Sequence, residues 1–234
     1  MNEFHHFKNR EDAGAQLARQ LTQYAGRDDV VVLALPRGGV PIGYAIASAL
    51  HAPLDILLVR KLGLPGHEEY AMGAIASGGV RVLQTSVVQQ LHVPPQVVQE
   101  VIDRETQEIE RRELVYRGGR KPRSVTGKTV ILVDDGLATG ATMRVAVESL
   151  KRHKPAKVVV AVPVAAPDSR DMIAAEVDEM VCLSAPMMFR AVSEWYAHFD
   201  QTSDQEVQRL LEAARQPDDA EAEREADIST QFTR

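Results

Sequence analysis

Two adjacent carboxylates, Asp134 and Asp135, stand where a predicted buried strand of four apolar residues, 130–133, comes to its end. A loop of small residues at 138–142 follows, and a helical pattern begins at about Met143. In an open α/β sheet, ligands bind in the crevice beyond the carboxyl ends of the strands. We therefore expect the ligand site of this chain where these acids and this loop meet.

The loop at 138–142 has the composition of a phosphate site. It carries no bulky side chain, so its backbone N–H groups can close around an anion, and Thr139 and Thr142 add hydroxyl donors. The following helix directs its positive end at the same place. The chain has neither G-x-x-x-x-G-K-[ST] nor G-x-G-x-x-G after a strand, which argues against a triphosphate or dinucleotide loop. Because the adjacent acids suit vicinal hydroxyls or a magnesium ion, the pattern predicts a ribose 5-phosphate ligand.

Four apolar residues, two acids and then T-G-x-T resemble the signature of type I phosphoribosyltransferases at every defined position. In that family the acids hold the ribose hydroxyls of 5-phosphoribosyl pyrophosphate (PRPP), and the loop holds its 5-phosphate. The resemblance implies that Asp134 and Asp135 are catalytic and that they hold the cofactor, Mg2+, directly or through water. The implied PRPP contacts are Asp134, Asp135, Gly136, Ala138, Thr139, Gly140, Ala141 and Thr142.

A second glycine-rich turn, at 36–39, follows a predicted strand and stands where the family has its pyrophosphate loop. Glycine permits a close approach of the ligand, and an arginine fork suits a phosphate. The segment 59–69 carries two cations, two glycines and a proline where the family has a mobile loop that closes over PRPP. The resemblance implies pyrophosphate contacts at Arg37, Gly38, Gly39, Arg60 and Lys61, with Lys61 also catalytic.

Three features each keep more than one interpretation. His67 is either an exposed loop histidine or part of the chemistry. Phe189, Trp195 and Tyr196 follow the last predicted strand, and they either stack on a flat heterocyclic acceptor or form an apolar plug that docks the C-terminal segment. The segment 111–128, with seven cations and one acid, is a solvated surface, a lid over a polyanion or a partner-binding surface. We favour a lid or a plain surface.

Predicted strands alternate with predicted helices along the chain, which indicates an α/β fold with a mostly parallel, twisted sheet flanked by helices. A long helix is predicted from Pro95 to about Tyr116, and a hairpin at 72–83 is predicted to turn at Gly78 and Gly79. The predicted parts are one domain similar to type I phosphoribosyltransferases at 1–215, with a helical insertion at 84–126 and a small hood with the C-terminal helix at 184–214, and a disordered acidic tail at 216–234.

Composition excludes several classes of protein. One cysteine, Cys182, excludes a disulfide framework, and no apolar stretch approaches the length of a membrane span. The net charge of −6 argues against nucleic acid as a partner. We expect a cytoplasmic protein, because no signal peptide is evident, and we expect a homo-oligomer.

The resemblance implies a transferase that moves a 5-phosphoribosyl group between PRPP and a nitrogen heterocycle, a nucleobase being the first choice, with release of pyrophosphate. Purine-specific members typically carry a lysine near the strand after the phosphate loop, and residues 158–164 contain none. Two alternatives stay open. One is a regulator that senses PRPP with little or no catalysis, and the other is a hydrolase of a phosphorylated sugar or nucleotide.

Overall fold

The computed structural model describes residues 7–215 of the chain, apart from the side chains of residues 68–70. Within that part, strands and helices alternate along most of the chain. The strands are β1 (Val30–Ala34), β2 (Leu54–Ile56), β3 (Val59–Leu64), β4 (His67–Ala76), β5 (Arg81–Leu83), β6 (Thr129–Val133), β7 (Lys157–Val164) and β8 (Glu179–Ser184). The helices are α1 (Arg10–Gln20), α2 (Gly39–Leu50), α3 (Thr85–Gln90), α4 (Pro95–Arg117), α5 (Ala141–Arg152), α6 (Pro167–Ala174) and α7 (Asp204–Ala213).

Five parallel strands form the central sheet in the order β2-β1-β6-β7-β8, which confirms the predicted fold class. All five residues of β1 and all five of β6 are buried, as expected for apolar strands covered by helices on both faces. β1 and β6 are neighbours, and their register pairs Ala34 with Val133. The segments that follow these two residues therefore leave the same edge of the sheet side by side.

A smaller antiparallel sheet of β3, β4 and β5 stands where the sequence predicts a mobile loop. Residues 59–69 are not an irregular loop, because β3 and β4 pair as a hairpin that turns at Pro65 and Gly66. Movement of this hairpin over a ligand stays a prediction. Gly66 has a φ of 79°, which suits glycine. The glycines that suggested mobility instead serve this turn and an irregularity at Gly63, where the register shifts. The predicted hairpin turn at Gly78 and Gly79 is confirmed.

The helix α4 confirms the long helix predicted in the insertion. It ends at Gly118, whose φ of 62° places it in the left-handed region that commonly ends a helix. One side of α4 buries Val98, Ile102 and Ile109, and the helix packs against β3, β4 and α7. No helix in residues 7–215 is both long and apolar enough to cross a membrane.

The segment after β8 packs against the start of the chain. Phe7 pairs with Tyr196 in a short parallel bridge, and its N–H donates to the Trp195 carbonyl at 2.8 Å. Phe7, Trp195 and Tyr196 are buried together against Val164 of β7. This contact holds the N-terminal segment and the predicted hood beside the carboxyl edge of the central sheet.

Candidate functional site

The two acids lie directly beyond β6, as predicted, and each has one carboxylate oxygen engaged by the protein. The backbone N–H of Asp135 donates to Oδ1 of Asp134 at 2.8 Å. Arg10 donates to Oδ2 of Asp135 through Nε at 3.0 Å and through Nη2 at 2.8 Å. The remaining oxygens, Oδ2 of Asp134 and Oδ1 of Asp135, accept no hydrogen bond from residues 7–215. Two acceptors on neighbouring residues are therefore available to two hydroxyl groups.

The glycine-rich turn after β1 lies against these acids. The Leu35 N–H donates to the Val133 carbonyl at 2.9 Å, and the Pro36–Arg37 peptide bond is cis. A Cβ atom at Gly38 would lie 1.9 Å from Oδ2 of Asp135, and one at Gly39 would lie 2.7 Å from the Val133 carbonyl oxygen. Only glycine fits at either position, because any side chain would displace the turn or the acid. The predicted pyrophosphate turn and the predicted ribose acids thus form one continuous site.

The loop at 138–142 is supported from behind by α6. Ser169 donates through Oγ to the Ala138 carbonyl at 2.7 Å. Gly140 has a φ of 70°, and a Cβ atom there would lie 2.8 Å from the Cε atom of Met172. Thr139 and Ala141 are exposed, so the outer surface of the loop is open to a ligand.

Two of the helices that begin at this edge directly follow segments of the candidate site, and neither has a side chain as its N-terminal cap. They are α2, which follows the glycine-rich turn, and α5, which follows the loop at 138–142. Helix N-termini carry partial positive charge and N–H groups that lack intrahelical partners. The sequence places both termini here because each follows a parallel strand. The edge therefore offers two anion sites, one on each side of the acids.

Burial raises the pKa of both acids. Burial raises the pKa of Asp134 well above its ordinary value, and the neighbouring Asp135 carboxylate raises it further. Burial also raises the pKa of Asp135, while the hydrogen bonds and positive charge of Arg10 lower it. Crowded carboxylates of this kind are stabilised by a cation or by hydroxyl donors.

The acids also fit a magnesium ion that is shared with a substrate. Mg2+ is usually bound by one or two carboxylates together with waters and substrate phosphates. Asp134 and Asp135 supply the carboxylates. The described part of the chain contains no cluster of three or more His, Cys, Asp or Glu residues that could hold a metal.

Arg37 is connected to α4 and α7 in a way that the sequence did not indicate. Its Nη1 atom lies 3.6 Å from Oδ1 of Asp204, the first residue of α7. Tyr116 of α4 donates its hydroxyl to the same carboxylate oxygen at 2.6 Å. The Arg37 side chain is about one-third exposed (35%), so it remains accessible to an anion.

Arg60 and Lys61 point to opposite faces of β3, because side chains alternate along a strand. Arg60 forms an ion pair with Glu105 of α4 at 2.6 Å. Val59 shares a face with Lys61 and packs with Val145 of α5, one turn beyond the loop at 138–142. This placement gives Arg60 a structural contact, whereas Lys61 is exposed and stays a predicted phosphate contact. His67, also weighed for the chemistry, is exposed at the start of β4.

The predicted acceptor aromatics have different surroundings. Trp195 and Tyr196 are buried with Phe7, which favours the apolar plug, and the Tyr196 hydroxyl donates to the Asp135 carbonyl at 2.7 Å. Phe189 is partly buried beside them, and the neighbouring Met187 is exposed. We therefore retain Phe189 alone of the three as a candidate acceptor contact.

The contacts of the basic segment 111–128 argue against the lid interpretation, because four of its arginines have partners within the protein. Arg117 is buried, and it donates to Asp55 of β2 and to Glu113, both at 2.8 Å. Arg111 and Arg112 are paired with Glu108. Arg117 and Arg120 line a cavity of about 550 Å³ between the end of α4 and α7. The segment is therefore largely neutralised by contacts within the protein.

Comparisons with known proteins agree with this geometry. A family model described as "Phosphoribosyl transferase domain" matches residues 1–72 and 67–198. Rv0571c of Mycobacterium tuberculosis (strain H37Rv), named provisionally as a phosphoribosyl transferase, is 46% identical over 216 residues. The match covers 92% of this chain and 48% of Rv0571c, so this chain spans about half the length of that relative. The crystal structure of TT1426 from Thermus thermophilus superposes with a TM-score of 0.76 and 38% identity, covering 88% of this chain and 97% of that one. The bifunctional protein PyrR of Brevibacillus brevis is 30% identical over 111 residues, which are 45% of this chain and 60% of that protein.

Proposed function

The chain belongs to the phosphoribosyl transferase family, and on that premise we propose that it transfers a 5-phosphoribosyl group between PRPP and a nitrogen heterocycle. One observation carries the proposal: two uncapped helix N-termini flank two carboxylate oxygens that accept no hydrogen bond from residues 7–215, all at one sheet edge. PRPP has the matching order of groups, with a 5-phosphate, a vicinal diol and a pyrophosphate. The loop at 138–142 would hold the 5-phosphate, and the turn at 36–39 would hold the pyrophosphate.

In this reaction the bond between C1 of the ribose and the pyrophosphate oxygen breaks, and a bond between C1 and the acceptor nitrogen forms. Pyrophosphate leaves with the bonding electron pair, and positive charge develops on the ribose, as in glycoside cleavage. Asp134 and Asp135 hold the hydroxyls beside that charge and stabilise it. Arg37, Lys61 and the amides of the glycine-rich turn offset the charge of the leaving group. Catalysis then depends on positioning and charge rather than on a protein nucleophile.

When bound, Mg2+ would supply charge neutralisation between the pyrophosphate and the ribose hydroxyls. Asp134 and Asp135 are the residues that would hold it. The acceptor would approach from the side of the segment that follows β8, where Phe189 offers an aromatic face. A small nitrogen heterocycle, such as a nucleobase, is the acceptor class that we propose.

The experiment is a calorimetric titration of the full chain with PRPP and MgCl2, followed by an assay of pyrophosphate release with a panel of nitrogen heterocycles. We expect PRPP to bind and at least one heterocycle to release pyrophosphate. PRPP binding without release across the panel would favour the regulator that senses PRPP. Failure to bind PRPP would contradict the proposal, and hydrolysis of other phosphorylated sugars would then favour the hydrolase.

A variant of the loop tests which part of PRPP it holds. Thr142→Ala removes a hydrogen bond to a charged phosphate, typically worth about 1.5–3 kcal/mol, so PRPP affinity should fall roughly tenfold or more. Thr126→Ala is the matched control, because Thr126 precedes β6 at the opposite edge of the sheet and donates to the His153 carbonyl. Unchanged PRPP affinity in Thr142→Ala would contradict the assignment of the 5-phosphate to this loop.

A further inference from the structure

Arg10 is the cation nearest to the ribose acids, and it comes from the far end of the chain. It is the first residue of α1, and its side chain is only 12% exposed. Both Nε and Nη2 donate to the same oxygen, Oδ2 of Asp135. The third nitrogen, Nη1, donates to the Asp200 carbonyl at 2.6 Å. The guanidinium therefore joins the second acid of the motif to the segment that follows β8.

The arrangement depends on the shape of arginine. The guanidinium carbon lies 3.9 Å from the centroid of the Phe199 ring, so the planar group stacks on that ring while its edges donate hydrogen bonds. Stacking and a rigid fork of donors are properties that lysine lacks. A lysine at this position could contact Asp135 but could not contact Phe199 and Asp200 in the same way.

The pairing fixes how Asp135 is presented. With Oδ2 held by two hydrogen bonds, the carboxylate plane is set, and Oδ1 is left without a hydrogen-bond partner among residues 7–215. The positive charge also offsets one of two neighbouring negative charges at a site for an anionic sugar. Without Arg10, the carboxylate could rotate, and Oδ1 would no longer be held in a fixed position for a ribose hydroxyl.

We propose that Arg10 is a positioning residue for sugar binding, which holds Oδ2 of Asp135 so that Oδ1 accepts a hydrogen bond from a ribose hydroxyl. This inference rests on the proposed function, because it takes PRPP as the ligand. Arg10 acts on the ribose through Asp135 and not on the pyrophosphate. Its removal should therefore weaken ligands that contain the sugar far more than pyrophosphate alone.

The test compares two ligands, PRPP and inorganic pyrophosphate, each titrated calorimetrically with MgCl2 into the wild type, Arg10→Gln and Arg10→Lys. In Arg10→Gln we expect PRPP affinity to fall about tenfold, the effect of losing one hydrogen bond to a charged group, and pyrophosphate affinity to change less than about threefold. Arg10→Lys should recover part of the loss because it keeps the charge but not the fork. Thermal unfolding checks that each variant is folded.

Arg27→Gln is the matched control. Arg27 also donates two hydrogen bonds to an aspartate, Asp29, but it is exposed and precedes β1 at the opposite edge of the sheet. Equal loss of PRPP and pyrophosphate affinity in Arg10→Gln would overturn the inference, since a merely structural tie moves both alike. Wild-type affinity for PRPP in that variant would also overturn it. If the wild type itself binds no PRPP, the proposed function fails instead. If Arg10→Gln does not fold, Arg10→Lys carries the same comparison.

Discussion

Asp134 is buried beside a second carboxylate. This position suits ligand binding, but it lowers the stability of the ligand-free protein when the group is ionised. The pKa of this group is raised in the folded protein, chiefly by burial and then by the charge of Asp135. The native state therefore keeps its proton to a higher pH than the unfolded chain does. The stability that this group contributes is present below its unfolded pKa and is lost as the pH rises through its folded pKa. Functional groups that carry such a cost are common at binding sites.

We predict that Asp134→Asn stabilises the ligand-free protein at pH 8 while abolishing PRPP binding. The amide has no charge to desolvate, so the melting temperature should exceed that of the wild type by roughly 2–4 °C, the shift that corresponds to about 1 kcal/mol in a protein of this size. The difference should shrink toward pH 4, because the wild-type acid is then protonated in the native state and increasingly protonated in the unfolded chain as well. A series of calorimetric melts from pH 4 to pH 8 without magnesium measures it.

Asp29→Asn provides a control of opposite sign. The hydrogen bond from Arg27 holds the pKa of Asp29 below its usual value. This acid therefore contributes stability above its unfolded pKa, and that contribution is lost as the pH falls. Its replacement should lower stability slightly at pH 8. If Asp134→Asn and Asp29→Asn shift the melting temperature in the same direction, burial of Asp134 is not the dominant effect.

The two acids that we propose as ligand contacts could be predicted from the sequence, whereas the residues that pair with the candidate site could not. Asp134 and Asp135 stand in one contiguous motif, so their spacing indicates their chemistry. Arg10 lies 125 positions away from Asp135, and nothing in its local pattern distinguishes it from a solvated arginine at a helix start. The sequence around Asp204 likewise gives no sign that this residue pairs with Arg37. Such pairs are set by tertiary packing.

At the scale of elements, the same limit explains why the sequence of residues 59–69 did not indicate a hairpin. A glycine- and proline-containing run is typical of a loop, but the hairpin of β3 and β4 is stabilised by its neighbours α4 and α5. The amphipathic pattern of α4 and the mainly apolar strands β1 and β6 could be recognised without that context, from periodicity and length alone.

The buried ion pair between Arg117 of α4 and Asp55 of β2 offers a test of whether the basic segment 111–128 has a structural role. Asp55 accepts hydrogen bonds from Arg117, from its own neighbour Ile56 and from the backbone of Arg123. We predict that Arg117→Ala destabilises the protein by about 3–5 kcal/mol, because it leaves the Asp55 carboxylate buried without its partner charge. Urea unfolding measures the loss. PRPP affinity, titrated well below the melting temperature, should be unchanged.

Arg111→Ala, in the same segment and the same helix, is the companion variant. Its side chain is 58% exposed and pairs with Glu108, so its removal should hardly change stability. A lid would behave differently, since both arginines would then contribute to PRPP affinity and neither to the fold. A fall in PRPP affinity in either variant, with stability intact, would restore the lid interpretation.

At the scale of the whole molecule, net charge argues against a regulator that senses PRPP and acts by binding nucleic acid. The chain has a net charge of −6, which repels a polyanion at long range. The local exception, the basic segment 111–128, has most of its arginines in contact with acids or carbonyls of the protein. Few cations are left to release the counterions that drive binding to a phosphate backbone.

We therefore predict negligible affinity for RNA or DNA at physiological salt. The measurement is a filter-binding titration of the full chain at two salt concentrations, with single- and double-stranded probes. Binding through phosphate contacts falls steeply as salt rises, because each neutralised phosphate releases counterions, so two concentrations separate it from nonspecific retention. A repeat with saturating PRPP and MgCl2 covers a binding mode that requires the sensed ligand. Sub-micromolar, strongly salt-dependent binding in either condition would make the PRPP-sensing regulator the leading function. Replacement of the lysines in residues 111–128 would then test whether this segment contacts the nucleic acid.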